Sequence, residues 1–183
     1  MNWADSVVPE EEQWIPFYYE EDVTNISNEQ NEKAPFVPIT IQTLNQLIPF
    51  MKLKQSDVLL DLGCGDGRII IESLLQTQCN EAYGIDIEPE AISQAKSHYK
   101  ESKLNKPITF ICDDFFKTNQ IPWNKITVVV MYLLPSIMDK LYPLLKSKLS
   151  HCRIFCACFK MSSNIPQTII RSSSFPDFIE IKL

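Results

Sequence analysis

Glycine is scarce in this sequence: four residues in 183, where an ordinary globular chain carries roughly 7%. The scarcity is uneven, because Gly63, Gly65 and Gly67 alternate within one short window and Gly84 closes the next apolar run. Also missing is any apolar stretch near the roughly 18 residues of a membrane-spanning helix, and any basic-then-apolar leader at the N-terminus. The six cysteines lie mostly in apolar, strand-like runs without paired spacing in polar loops. That excludes a disulfide scaffold and predicts reduced thiols in a cytoplasmic protein. Basic charge is lacking at the N-terminal end: residues 1–33 hold nine acids against Lys33, leaving 16 bases and 14 acids in residues 34–183. This pattern argues against an Arg-rich presequence and gives no electrostatic footprint for long nucleic acid. The partner it favours is basic.

What is present divides into an arm and a domain. Residues 1–33 form an acidic arm; the composition of Asn25 to Lys33 predicts disorder, whereas the aromatic cluster Trp14 to Tyr19 is expected to dock on the domain or a partner. Residues 34–183 read as one domain. Ile41, Leu44, Leu47, Ile48 and Met51 recur at helical spacing behind Thr40 as N-cap, with Pro49 expected to end or kink that helix. Apolar runs at Asp57–Leu62, Glu81–Asp86, Ile108–Cys112, Ile126–Leu133 and Arg153–Phe159 read as strands, separated by helical patterns at Arg68–Leu75, Pro89–Tyr99 and Ile137–Leu149. Gln167–Ser172 and Phe178–Leu183 read as a closing hairpin. The predicted fold is α/β: a Rossmann-like, doubly wound, seven-stranded sheet, mostly parallel, with a C-terminal antiparallel hairpin and a ligand crevice at the strands' C-terminal ends.

The glycines stand in Asp61-Leu62-Gly63-Cys64-Gly65-Asp66-Gly67-Arg68, at the turn from the first strand into a helix. Such glycines turn the chain sharply and bring bare backbone against a ligand. The spacing is neither the dinucleotide G-x-G-x-x-G nor a phosphate loop, which would need Gly-Lys-Ser/Thr. Asp61, at the strand end, would repel a pyrophosphate and hold a ligand ammonium. Asp86, ending the second strand, suits two ribose hydroxyls. Asp114, after the third strand and beside Asp113, suits an adenine amino group. Three carboxylates at successive strand ends around a glycine turn describe a pocket for adenosine bearing a cationic amino-acid tail, which is S-adenosylmethionine.

With these residues the sequence resembles the class I, seven-β-strand methyltransferases over residues 34 to 183. Within that class, Ala34-Pro35-Phe36-Val37-Pro38, Asp61 to Ile71, Asp114-Phe115-Phe116 and Val128 to Pro135 look like the archaeal broad-specificity protein lysine methyltransferase and the mitochondrial ATP synthase c-subunit lysine methyltransferase family. The resemblance implies methyl transfer to a protein substrate, with S-adenosylhomocysteine as product. It places Asp61, Gly63 and Gly65 along the methionine part, Asp86 at the ribose, and Asp114 with Phe115 at the adenine, with Ile87 packed on the adenine face. The chain departs from the family at Asn164-Ile165-Pro166, where Trp-x-Pro is usual, and at Ala157 and Cys158, where His or a charged residue is common. The mitochondrial members' membrane-associating segment has no counterpart here.

Methyl transfer from a sulfonium is an in-line displacement, so alignment supplies much of the rate and no Ser/His/Asp or metal constellation is required. A lysine acceptor must be neutral, which desolvation and a nearby sulfonium promote. Tyr132, after the fourth strand, is the candidate for positioning the acceptor, and with Phe36 for lining a channel around its aliphatic stem; sheet packing is the competing account of Tyr132. His98 and His151 are expected at the surface, and His151, Cys152, Cys156 and Cys158 as buried thiols beside a histidine rather than a metal cluster. A small-molecule methyltransferase and a non-catalytic S-adenosylmethionine-binding partner protein remain open. The aromatic and acidic stretch Trp14 to Asp22 is a candidate to fold over the acceptor site and attract a basic substrate. Deleting residues 1–33 is then expected to weaken turnover of a basic acceptor while leaving cofactor affinity unchanged; equal turnover by the truncated and full chains removes that role.

Overall fold

A computed structural model describes residues 38–162, 168–172 and 178–182. The arm 1–33, Phe36 and Asn164-Ile165-Pro166 lie outside the described residues. Eleven elements follow in the order α1 (Ile41–Met51), β1 (Val58–Leu62), α2 (Arg68–Gln76), β2 (Glu81–Asp86), α3 (Pro89–Glu101), β3 (Ile108–Cys112), β4 (Val128–Met131), α4 (Pro135–Lys148), β5 (Arg153–Ala157), β6 (Thr168–Ser172) and β7 (Phe178–Lys182).

The strands form one sheet in the order β3-β2-β1-β4-β5-β7-β6, parallel from β3 through β5 and antiparallel where β7 joins β5 and β6. This is the predicted α/β arrangement with its closing hairpin. Strand alternation sends Leu59, Val128, Val130 and Phe155 to one face, against Leu44, Leu47, Ile48 and Met51 of α1 and Ile70 and Leu74 of α2. Leu60, Leu62, Val129, Met131 and Ile154 go to the other face, against Met138, Leu141 and Leu145 of α4. Two covered faces explain why β4 reads as an unbroken apolar run and β1 as one broken only by Asp61.

Helix ends follow local chemistry. Thr40 caps α1 by accepting from the Thr43 N–H at 3.2 Å. Pro89 and Pro135 occupy the first turns of α3 and α4, where a missing N–H costs nothing. Lys106 Nζ donates to the Leu74 and Thr77 carbonyls at 2.6 and 2.8 Å, capping the negative end of α2. The expected break at Pro49 does not occur: α1 runs through it to Met51, because buried Leu44, Leu47, Ile48 and Met51 hold the last turn against the sheet. The strands are also shorter than their apolar runs. β4 stops at Met131, and β5 stops at Ala157, where Cys158 takes a left-handed φ of 63°.

At the N-terminal end of the sheet a polar network replaces apolar packing. Arg153 Nη2 bonds Asp57 Oδ2 at 2.6 Å and Nη1 bonds the Met51 carbonyl at 2.7 Å; Asp57 also accepts from the Lys54 N–H and the Thr127 hydroxyl. This network joins α1, β1, β4 and β5 at one corner.

The fourth glycine has a packing reason. A Cβ on Gly84 would lie 2.6 Å from Ile70 Cδ1 and 2.9 Å from Cys64 Sγ, so β2 accepts α2 and the glycine turn only with a bare backbone there. Gly84→Ala is expected to cost about 1–3 kcal/mol in urea unfolding. Ile70→Val removes the nearer obstructing carbon. The double variant is expected to be more stable than the sum of the two single effects; strict additivity would deny the contact.

Candidate functional site

β1 sits where the strand order reverses, with β2 and β3 on one side and β4 and β5 on the other, and its C-terminal end is the place at which sheets of this kind bind ligands. The glycine turn fills that position. Gly63, Gly65 and Gly67 all have positive φ, of 79°, 52° and 78°. The Gly63 and Cys64 N–H groups both donate to the Ile85 carbonyl, at 2.9 and 3.0 Å, and the Gly65 N–H donates to Asp86 Oδ2 at 2.9 Å. The turn is thereby hooked over the end of β2. A Cβ on Gly63 would meet Leu133 Cδ2 at 2.6 Å, so the chain leaving β4 closes against the turn from the other side.

Asp61 lies in β1 between Gly84 and Val130, wholly buried, and neither carboxylate oxygen has a hydrogen-bond partner among the described residues. Burial pushes its pKa well above the usual carboxylate range, and the neighbouring charges of Asp86 and Asp66 push it further. A buried acceptor without a donor is costly, and the chemistry that relieves it is a cation carrying N–H groups. The residues present therefore fit the ammonium group of an amino-acid-bearing ligand.

Asp86 is half-buried and held by two backbone amides, from Gly65 to Oδ2 and from Glu88 to Oδ1 at 3.0 Å. With two further lone pairs unspent, the oriented carboxylate still has capacity for hydroxyl donors. Beside it Ile87 is 55% exposed, an unusual place for an isoleucine side chain. Asp114 accepts from the Phe116 N–H at 2.9 Å through Oδ1 and pairs with Lys117 at 3.1 Å through Oδ2. Asp113 is engaged separately, accepting from the Asp114 N–H and from Gln120. Phe115 and Phe116 meet edge to face at 4.8 Å, and Phe116 is 42% exposed. Thus the carboxylates of Asp61 and Asp86 converge on the glycine turn, whereas that of Asp114 is largely taken up by its own turn.

Tyr132 follows β4 and is half-buried, its ring 5.7 Å from that of Phe159 beyond β5. Burial, reinforced by Cys158, pushes its phenol up to about 12. Tyr132 therefore stays protonated at neutral pH and cannot act as a base there; what remains to it is shape and aromatic surface. The other expected substrate residue, Phe36, lies outside the described residues.

Several residues of the site are not legible in the sequence. Asp66 and Arg68 form a buried pair within the glycine turn. His98, expected at the surface, is instead half-buried with Nδ1 3.1 Å from the Asp66 carbonyl oxygen, because α3 packs its C-terminal half over the turn. His151 is exposed, and Cys152 and Cys156 are buried thiols pushed up to about 12 by burial, while Cys158 is only half-buried. The alternation of small and charged residues in the turn has no period from which a buried ion pair could be inferred.

A family model for the ANTKMT methyltransferase domain matches residues 61–168. The chain is similar to a protein-lysine N-methyltransferase of Saccharolobus islandicus, at 28% identity over 139 residues covering 75% of this chain and 84% of the relative. It is also similar to the lysine N-methyltransferase of the ATP synthase c-subunit from Caenorhabditis elegans, at 24% identity over 71% of this chain and 69% of the relative. Among solved structures, an RNA methyltransferase from Salinibacter ruber in complex with S-adenosyl-L-homocysteine superposes with a TM-score of 0.67 at 29% identity, covering 79% of this chain and 92% of that one.

The orphaned carboxylate has a measurable consequence. Native Asp61 keeps its proton to higher pH than it does in the unfolded chain, so ionising it costs the native state. The cost is absent below the unfolded carboxylate range near pH ~4, grows as pH rises, and is complete above the native pKa. Asp61→Asn is therefore expected to stabilise the ligand-free protein at pH 7 by about 1–3 kcal/mol. At ~2–4 °C per kcal/mol for a chain of this size, the gain should be visible in thermal melts and should vanish towards pH ~4.

Proposed function

The chain belongs to the ANTKMT methyltransferase family and is an S-adenosylmethionine-dependent methyltransferase, and we propose that its acceptor is the ε-amine of a lysine in a basic segment of another protein. The observation that carries the cofactor site is the buried, unpartnered Asp61 carboxylate beside a glycine turn. The lysine acceptor is supported by the two lysine methyltransferases among the relatives.

In this reading Asp61 holds the ammonium of the methionine part, and Gly63 and Gly65 admit its chain against bare backbone. Asp86 holds the ribose hydroxyls, its orientation set by the Gly65 and Glu88 amides. Exposed Ile87 and the Phe115 ring flank the adenine, and Asp114 accepts from its amino group. When bound, S-adenosylmethionine supplies a methyl group on a cationic sulfur whose leaving group is already activated. The protein's part is then alignment and desolvation. Tyr132 positions the acceptor without taking its proton, since its phenol remains protonated. The catalytic domain is residues 34–183, with the acidic arm 1–33 drawing basic substrate by charge. Free cysteines, four of the six buried, support a cytoplasmic setting.

The test is transfer of labelled methyl from S-adenosylmethionine into a cell extract, followed by mass spectrometry of the modified species. Methylated lysine in a protein is the expected product, with the rate rising between pH ~7 and ~9 as more of the amine becomes neutral. Asp86→Ala should remove both the label and the cofactor-induced rise in melting temperature. Label recovered in RNA or in small metabolites would replace the lysine reading, and cofactor binding without transfer to any acceptor would make the protein a scaffold.

A further inference from the structure

Asp66 lies between Gly65 and Gly67, in the middle of the turn assigned above to the methionine part, yet it faces inward. Asp66 and Arg68 are each only 4% exposed. Arg68 Nε and Nη2 donate to the Asp66 carboxylate at 2.9 and 2.6 Å, and Nη1 donates to the Ile39 carbonyl at 3.0 Å, just before α1. The backbone N–H of Arg68 also reaches Asp66 Oδ1 at 3.3 Å. From a third direction His98 of α3 meets the Asp66 carbonyl oxygen, which can only accept, so Nδ1 is the protonated nitrogen. Below, a Cβ on Gly67 would collide with Phe110 at 2.9 Å, so the turn is seated directly on the ring.

A glycine turn gains close approach to a ligand at the expense of stiffness, because glycine has the widest range of backbone conformations. Here the two residues interleaved with the last glycine remove that freedom. We propose that Asp66 and Arg68 are positioning residues for the cofactor: a buried clasp that fixes the Gly65–Gly67 backbone to the start of α1, so that Gly65 keeps its bond to Asp86 and the cradle exists before the cofactor arrives. Neither side chain touches the ligand in this arrangement, because both are turned into the protein. The clasp also settles the charge of the turn. Arg68 pairs with Asp66, so that of the carboxylates around the turn those of Asp61 and Asp86 are the ones left for a cationic ligand. Preorganisation of this kind acts on affinity, since a turn already in place loses less freedom on binding.

The inference rests on the reading of the glycine turn as the cofactor cradle, and its test separates the two. Replacing both members of a buried ion pair by apolar residues of similar size is often neutral for stability, whereas removing one strands a charge. The informative variant is therefore the double change Asp66→Leu with Arg68→Met, compared with Arg68→Lys, whose single ammonium cannot span both Asp66 oxygens and the Ile39 carbonyl. Binding of S-adenosylhomocysteine is measured by titration calorimetry, with melting of the ligand-free proteins alongside. The expected result is a double variant melting within about 5 °C of the parent but binding roughly tenfold more weakly, with Arg68→Lys between the two. Unchanged affinity in a well-folded double variant overturns the clasp. If the double variant does not fold cooperatively, Arg68→Lys decides: weaker binding at a parental melting temperature supports positioning, and parental binding overturns it. Asp61→Asn and Asp86→Ala run in parallel. Should neither weaken binding, the cradle itself is elsewhere; should both weaken it while the clasp variants do not, the clasp alone fails.

Discussion

A carboxylate buried without a donor is the constraint around which this sheet is arranged. Asp61 occupies the central strand at the point where strand order reverses, a position that elsewhere in the core is given to residues such as Leu60, Val129 and Met131. An apolar residue there would stabilise the ligand-free chain. The neighbouring features keep that carboxyl group available. Gly84, its register partner in β2, adds no side chain, Arg68 is occupied with Asp66 and Ile39, and Lys106 is turned to the far end of α2. These cations are thus committed elsewhere, which leaves room for a cation brought by a ligand.

The two ends of the sheet are built on opposite rules. At the N-terminal end Asp57 is met by Arg153, Thr127 and the Lys54 amide, and Arg153 in turn closes on Met51 and stacks near Phe155. Those bonds cross-link four elements and leave nothing for a ligand. At the C-terminal end the backbone is tied down by Ile85 and Asp86, but Asp61 is unsatisfied and Ile87 and Phe116 stand exposed. Rigid backbone with incomplete side chains is the combination a binding site needs, because ordering costs are met on folding and the unsatisfied groups are met on binding. The stability of the lower end offsets the unsatisfied charge carried at the upper one.

Much of this was legible in the residues because it rests on short-range rules. Strand and helix alternation, the Thr40 cap, the first-turn prolines and the positive-φ glycines each follow from chemistry within a few positions. The proposal for Asp61 and Asp86 rests on reasoning of the same range: a carboxylate at a strand end beside a glycine turn has few structural uses. What could not be read depends on side chains meeting from distant elements. The Arg68 bond to the Ile39 carbonyl, the His98 approach to Asp66, and the survival of α1 past Pro49 are all tertiary, and a short alternation of glycine and charge contains none of that information. At Asp114 the local turn adds contacts that the pattern did not contain. Its position fits the expected pattern, and the Asp-Phe-Phe-Lys turn it begins engages both oxygens, one with the Phe116 amide and one with Lys117.

The acceptor side proposed above follows from what Tyr132 withholds. A base near the reacting amine would have to lose a proton near neutral pH, and the phenol at the end of β4 is held far from that by its own burial. Tyr132 stacks beside Phe159, and the chain beyond β5 passes through the left-handed Cys158 and is tied to α4 where Ser162 bonds Asp139. This segment offers the aromatic surface of Tyr132 and Phe159. In the reading proposed above, an amine entering along that surface would lose water before meeting a cationic sulfur, and both effects would favour its neutral form. In the lysine reading proposed above, the deprotonation would be promoted by the environment, and a long, slim stem reaching past the Tyr132 and Phe159 rings would be the acceptor such a surface favours.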